Sequence, residues 1–330
     1  MRRRDLIKGI AGSAIAWPLA ASAQQGERMR LVGGLMSLSE NDPEGRSWIT
    51  AFEQSLADLG WSSGRNLRIS YRFPEGVLER TQKFAKELIG LKPDVIFAGN
   101  TPAVVALLQE THTIPIIFAN LSDPIDTGLV PNLARPGGNV TGFAAFQYSL
   151  AGKWLEILRE AIPSITRVAL LFNPDTAPFA QKYIEELRIS GTTLGVETRA
   201  APVREVGDLE PTIATEGREP GGGIVVMPTN FANVNRAPII SLMARYRVPA
   251  IYPFRVTAKE GGLIFYGASA IDLYRRAASY VDRVLRNENP GQLPVQQPTK
   301  FELIVNLKTA KALGLKISES FLQRADEVIE

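Results

Sequence analysis

The sequence predicts an α/β protein made of two doubly wound parallel-sheet lobes. Three observations carry that prediction. From residue 29 onward, short β-rich runs alternate with longer amphipathic stretches, the pattern of parallel sheets covered on both faces. The alternation passes through two successive series, and 330 residues suit about two domains. No tether rich in Gly, Ser or Pro separates the series. The join near Tyr148–Leu150 is abrupt, as expected of lobes that share a hinge.

The elements follow in order. Met29–Met36 reads as a buried strand, and Arg46–Leu59 sets Trp48, Phe52, Leu56 and Leu59 at helical spacing. Leu67–Phe73 alternates as a strand does, and Leu78–Leu91 places Phe84, Leu88 and Leu91 on one helical stripe. Asp94–Ala98 is a short buried strand, Pro102–Thr111 a helix, and Ile114–Ala119 and Asn139–Phe143 are strands. The second series pairs helix Leu150–Ala161 with strand Arg167–Phe172, and helix Ala177–Leu194 with strand Glu197–Ala201. Helix Leu209–Glu216 precedes strand Gly223–Met227, and one helix is expected over Asn233–Tyr246. Strands Ala250–Tyr252 and Leu263–Tyr266, helix Asp272–Arg286, strand Phe301–Val305 and helix Leu307–Leu313 complete the chain, with Gly314 as a C-cap.

The first 23 residues read as an address. Arg2, Arg3, Arg4 and Lys8 precede an apolar run from Gly9 to Leu19, and Ala21-Ser22-Ala23 is a small-x-small cleavage signal. Arg3-Arg4-Asp5-Leu6-Ile7-Lys8 fits a twin-arginine export signal, so a periplasmic location is expected with cleavage near Ala23. This segment accounts for the whole formal charge of +3, which leaves the remainder neutral and without an electrostatic footprint for nucleic acid. There is no cysteine and a single histidine, His112. Disulfides, thiolate chemistry, an N-terminal lipid anchor on cysteine and a His-cluster metal site are all excluded.

In open parallel sheets, ligands bind beyond the carboxyl ends of the strands. The residues just after each expected strand are therefore the site candidates. They are Ser37, Asn100, Thr101, Pro102, Ala103, Ser122 and Asp123 in the first series, and Asn173, Thr176, Thr229, Asn230, Tyr252 and Phe254 in the second. Thr101 suits an N-cap and Pro102 the first helical position, which would leave the N–H groups of Ala103 and Val104 for a carboxylate. A plain capped helix has the same sequence. Asp123 in Ser-Asp-Pro suits a ligand ammonium or a turn. Tyr252 and Phe254 suit stacking on an aromatic or apolar ligand, or burial in the lobe core. His112 falls at the opposite end of the sheet, in a surface loop.

Several segments together resemble a known family. They are Ser122-Asp123-Pro124 with Thr127-Gly128-Leu129-Val130, Arg135-Pro136-Gly137-Gly138-Asn139-Val140-Thr141-Gly142, and the run Gln297–Ala310 (QPTKFELIVNLKTA). The chain is similar along its whole length to ABC-transporter substrate-binding proteins related to the tryptophan/tyrosine-binding proteins. The resemblance implies a type I periplasmic-binding-protein fold, with two lobes joined by a three-crossover hinge. The first lobe would span 27–147 plus about 268–290, and the second 148–267 plus about 291–330. It also implies a monomeric, non-enzymatic receptor without cofactor or metal. Such a receptor would deliver a solute to an inner-membrane ABC permease, and the strand tips at Thr101, Asp123, Tyr252 and Phe254 suggest a small carboxylate-bearing one, an aromatic or branched amino acid or a related aromatic acid. A sensing role for a signalling receptor shares this fold. A secreted hydrolase using Asp123, Asp175 and Glu260 is the remaining alternative, and no G-x-S-x-G motif supports it.

Overall fold

The computed structural model describes residues 28–177 and 179–330, so the expected export signal lies outside the described residues. The first sheet contains β1 (Arg30–Leu35), β2 (Leu67–Arg72), β3 (Val95–Ala98), β4 (Ile116–Ser122) and β5 (Val140–Phe146). They are all parallel, in the order β2-β1-β3-β4-β5. Helices α1 (Pro43–Asp58), α2 (Leu78–Gly90) and α3 (Thr101–Glu110) supply the crossovers. Within β5, Gly142 has φ +154°, and a Cβ there would stand 2.1 Å from the Phe118 carbonyl oxygen. Only glycine allows that close approach of β5 to β4.

The second lobe repeats the plan. It runs through α4 (Leu150–Ala161), β6 (Arg167–Phe172), α5 (Ala180–Leu194), β7 (Glu197–Pro202), α6 (Leu209–Gly217), β8 (Gly222–Val226), α7 (Asn230–Val234), α8 (Arg236–Arg245), β9 (Ala250–Tyr252), α9 (Arg255–Lys259) and β10 (Ile264–Ala268). The helix expected over 233–246 is thus two helices that meet at Asn235. Thr229 starts α7 early by accepting the Ala232 N–H, and the Asn235 side chain donates to the Phe231 carbonyl and ends it.

The chain then returns to the first lobe. Helix α10 (Ala270–Leu285) packs against α1, and Tyr274 sets its ring 5.3 Å from Trp48 and 4.9 Å from Phe97. Leu293–Gln296 then runs beside β5, where Gln296 accepts the Ala144 N–H and donates to Gly142. The chain re-enters the second sheet at β11 (Phe301–Asn306), followed by α11 (Leu307–Ala312), α12 (Glu319–Leu322) and β12 (Glu327–Ile329). Strand β11 is antiparallel to β10, a departure from the all-parallel expectation. The reason is geometric. Strand β10 ends at the hinge and β11 begins there, with Ala268 opposite Phe301, so the two must run in opposite directions.

Three crossovers therefore join the lobes, at Gln147–Ser149, at Ser269 and at Gln297–Lys300. They are cross-linked to one another: Gln147 Nε2 donates to Gln297 Oε1, and the Ser269 N–H donates to the Lys300 carbonyl.

At the far end of the first sheet, Asp94 accepts the Leu31 N–H at 2.8 Å and the Arg30 guanidinium at 2.8 Å. Burial alone would raise its carboxyl, but those two partners outweigh it and hold the pKa below the ordinary aspartate value. A carboxylate so depressed stabilises the fold above its unfolded pKa, and the contribution is lost as pH falls through the folded one. Asp94→Ala should lower stability at pH 7 by about 1.5–3 kcal/mol, the worth of charged hydrogen bonds. The gap from wild type should close on acidification below about pH 4, as followed by urea denaturation across pH.

Candidate functional site

The carboxyl ends of the two sheets face one gap. Strand order reverses between β1 and β3 in the first lobe and between β6 and β8 in the second, and these switch points are where such sheets take ligands. Ser37, Asn100, Thr101, Pro102, Asn120, Ser122 and Phe146 come from the first lobe. Thr176, Phe179, Pro228, Thr229, Asn230, Asn233 and Phe254 come from the second. Together they line a cavity of about 50 Å³ with no charged side chain among them. Phe146 and Phe254 meet edge to face across the gap, with centroids 5.9 Å apart.

Two polar atoms in this lining stand out, one from each lobe. Ser37 Oγ and Asn233 Oδ1 are buried and have no hydrogen-bond partner among the described residues. Buried polar atoms are normally satisfied, so these two are exceptions. Behind Ser37 lies the Tyr274 hydroxyl, also without a bond of normal geometry. Burial pushes that phenol above its ordinary range. Tyr183, behind Ser122, is raised for the same reason.

Nine of the thirteen candidate residues line the cavity: Ser37, Asn100, Thr101, Pro102, Ser122, Thr176, Thr229, Asn230 and Phe254. The other four do something else. Ala103 is fully buried in the first-lobe core. Asp123 spends its carboxylate on the N–H groups of Ile125 and Asp126, so it holds a turn. Asn173 accepts from the Asp175 and Thr176 amides and donates to the Arg204 carbonyl, which positions Thr176. Tyr252 is 2% exposed and packs in the second-lobe core.

The cap of α3 also differs from expectation. Asn100, not Thr101, is the N-cap, and its Oδ1 accepts the Ala103 N–H at 2.8 Å. The Val104 N–H donates to the Asn100 carbonyl. The two amides expected to meet a carboxylate are therefore already satisfied. Asn outranks Thr as an N-cap, and Thr101 precedes Pro102 inside the first turn.

The thirteen candidates left out Asn120, Phe146, Phe179, Pro228 and Asn233, which also line the cavity; Asn120 and Pro228 directly follow expected strands, and the other three do not. Asn120 sits at a bulge in β4 with φ +63°, a left-handed conformation that Asn tolerates. Phe146 was missed because β5 runs three residues past its expected end.

The lobes touch through charge as well. Arg236 at the start of α8 donates to Asp42, the N-cap of α1, at 2.6 Å, and to Glu260 at 2.9 Å. The Arg236 and Asp42 side chains are only 13% and 9% exposed. Burial works against the guanidinium, but its hydrogen bonds to Glu260 and Asp42 win and raise its pKa. On another side of the gap, Lys182 pairs with Asp126 and lies over the Tyr148 ring. Near the centre, Asn100 donates to Asn230 at 3.5 Å. Gly76 carries φ +79°, and a Cβ there would lie 2.9 Å from Asn230 Nδ2, so the β2–α2 loop also abuts the second lobe.

Residues 44–329 match the family described as ABC transporter substrate binding protein. A tyrosine-binding protein of Clostridioides difficile (strain R20291) is 27% identical over 276 residues, covering 80% of this chain and 76% of that one. Two solved structures share the fold. A Streptococcus pneumoniae ABC domain in complex with L-Trp has a TM-score of 0.83 at 23% identity, covering 91% of this chain and 99% of that one. A ligand-free, open substrate-binding protein with adhesive properties from Clostridium difficile has a TM-score of 0.69 at 22% identity, again covering 91% and 99%.

The cross-lobe ion pair yields a prediction. Removing one partner of a buried pair costs about 3–5 kcal/mol, and the share that comes from Asp42 falls on the closed arrangement alone. Arg236→Gln should shift the protein toward open forms, seen as a larger radius of gyration in X-ray scattering, while Arg236→Lys should shift it less. An unchanged radius for Arg236→Gln would show that the pair does not hold the lobes together.

Proposed function

This chain belongs to the ABC transporter substrate binding protein family, and on that footing we propose that it is an exported receptor for an aromatic amino acid or a related aromatic acid. It takes the solute into the gap between the lobes and presents it, unreacted, to an inner-membrane permease. The observation that carries this reading is the pair of unsatisfied buried atoms, Ser37 Oγ and Asn233 Oδ1, reaching one cavity from opposite lobes. A solute that bonds both can do so only when the lobes are together, so its binding energy favours closure. Phe146, Phe179 and Phe254 supply the apolar wall that an aromatic body needs. The tyrosine-binding relative and the L-Trp complex support the same ligand class.

The role is recognition without turnover. Polar tips made of Asn, Ser and Thr donate and accept hydrogen bonds, and no charged side chain stands among the residues that line the space between them.

Thermal denaturation with a panel of amino acids, aromatic acids and neutral sugars tests the assignment. A ligand at 100 times its Kd adds about 2.7 kcal/mol, which should raise Tm by several degrees for L-tyrosine, L-tryptophan or a close analogue. Response to neutral sugars alone would overturn it. Phe254→Ala should weaken the responding ligand about tenfold in calorimetric titration, the worth of one aromatic contact. The compound recovered after incubation should be chemically unchanged.

A further inference from the structure

A second chamber, of about 400 Å³, opens beside the cleft on the hinge side and shares Asn120, Phe146 and Phe254 with it. Ligand pockets run to roughly 300–1,000 Å³, so the space between the strand tips cannot alone seat an aromatic solute, whereas the two spaces together can. We propose that this chamber receives the anionic end of the solute, a carboxylate, on the N-terminus of α10 and the Ser269 hydroxyl. This rests on the reading of the chain as a receptor for aromatic amino acids or acids.

The helix starts around the gap are of two kinds: α1, α3 and α7 have a side-chain cap, and α5, α9 and α10 have none. Asp42 caps α1 and Asn100 caps α3, each with a side-chain oxygen on a backbone amide. Helix α10 is 16 residues long, and its N-cap Ser269 makes no side-chain capping bond. The amides of Ala270, Ile271 and Asp272 meet no acceptor among the described residues, and all three residues line the chamber. Ser269 itself is 9% exposed and lines the chamber, and its hydroxyl has no partner among the described residues. An unpartnered hydroxyl that a nearly buried residue opens to the chamber, beside three free amides at the positive end of a helix, is a set of donors for an oxyanion.

The charges around the chamber favour the same occupant. Arg255 is engaged by Glu302 and Glu327, and Asp272 lies 3.6 Å from Arg276. Glu44 accepts the Trp48 indole N–H, and burial raises its pKa. Lys259 and Arg275 make no ion pair among the described residues, and Lys300 has only Glu302 at 4.0 Å. Three cations thus remain available at the chamber rim. Trp48, Phe146 and Phe254 continue the apolar wall from the cleft, so the ring and the carboxylate of one solute both find matching surroundings.

The test compares ligands that differ only in the acid. Calorimetric titration of the full mature chain would use L-tryptophan, indole-3-propionate and tryptamine against wild type, Ser269→Ala and the surface variant Lys300→Gln. Both variants should bind the two carboxylates at least tenfold more weakly and change tryptamine less than threefold. Equal weakening of all three ligands, or of none, would overturn the proposal. Crystals of wild type grown with 4-bromobenzoate give a second measurement, with the bromine locating the molecule. Its carboxylate should lie within hydrogen-bond distance of Ser269 Oγ and the α10 amides, and a carboxylate found elsewhere would refute the site. If 4-bromobenzoate occupies the chamber but no aromatic amino acid binds, the ligand reading fails and the anion site stands. If L-tryptophan binds with its carboxylate away from α10, the anion site fails and the ligand reading stands.

Discussion

Everything in this molecule depends on two parallel sheets pointing their carboxyl ends at each other. Each sheet places the crevice of its strand-order reversal at that end, so two half-sites confront one another. The three crossovers lie at the same end, because β5 and β10 leave their sheets there and β11 enters there. Hinge and site are therefore neighbours, and a small rotation about the hinge brings together or separates the residues that line the gap. The loop residues are free to differ in chemistry, while the strands that carry them cannot move without breaking their ladders.

The distribution of charge follows from desolvation. The lining between the strand tips is neutral, made of amides, hydroxyls and phenyl rings. Charges appear where the lobes meet around it, as Arg236 with Asp42 and Glu260, and Lys182 with Asp126. A charge inside the cavity would have to be stripped of water with no fixed partner, whereas at the rim each ion finds its opposite as the gap closes. The closed arrangement thus carries its own electrostatic reward, which a solute has only to supplement. Asp42 serves two ends here, since the same carboxylate caps α1 and accepts Arg236. Its position is set within the first lobe before the second lobe arrives, and that lowers the entropy lost on forming the pair.

Much of this was legible in the residues alone. The alternation of short apolar runs with amphipathic stretches located eleven of the twelve strands among the described residues within a few positions, and the rule that sites lie beyond strand ends found nine lining residues. What stayed hidden depends on three-dimensional competition. Thr101 and Asn100 are neighbouring good caps, and the helix starts one residue earlier than expected, at the stronger one. Asp123 reads as a ligand group or as a turn residue until its two amide partners are seen. Tyr252 and Phe254 lie two residues apart, and one is core while the other is wall. The end of β5 was lost because Ala144 and Ala145 carry weak strand propensity, and Phe146 was lost with it. The antiparallel tail could be drawn only once the third crossover was known to arrive at the hinge.

The place of Ser269 joins binding to motion. It is a hinge residue, and its own N–H is held by the Lys300 carbonyl of a neighbouring crossover. Directly after it, the amides of α10 belong to a helix rooted in the first-lobe core through Tyr274, Trp48 and Phe97. The other walls of the same chamber, Pro253 to Arg255, come from the second lobe. An anion seated there touches the first lobe through α10, a crossover through Ser269, and the second lobe through the β9–α9 turn. Opening would draw the second-lobe wall away from the α10 amides, so an anion seated there would bind the closed form more tightly than the open one. That difference in affinity is the whole of the free energy a ligand can apply to a two-state hinge. A solute whose ring fills the gap and whose acid reaches the hinge would use both of its ends to close the protein. A solute lacking the acid would leave α10 uncapped and lose that part of the shift.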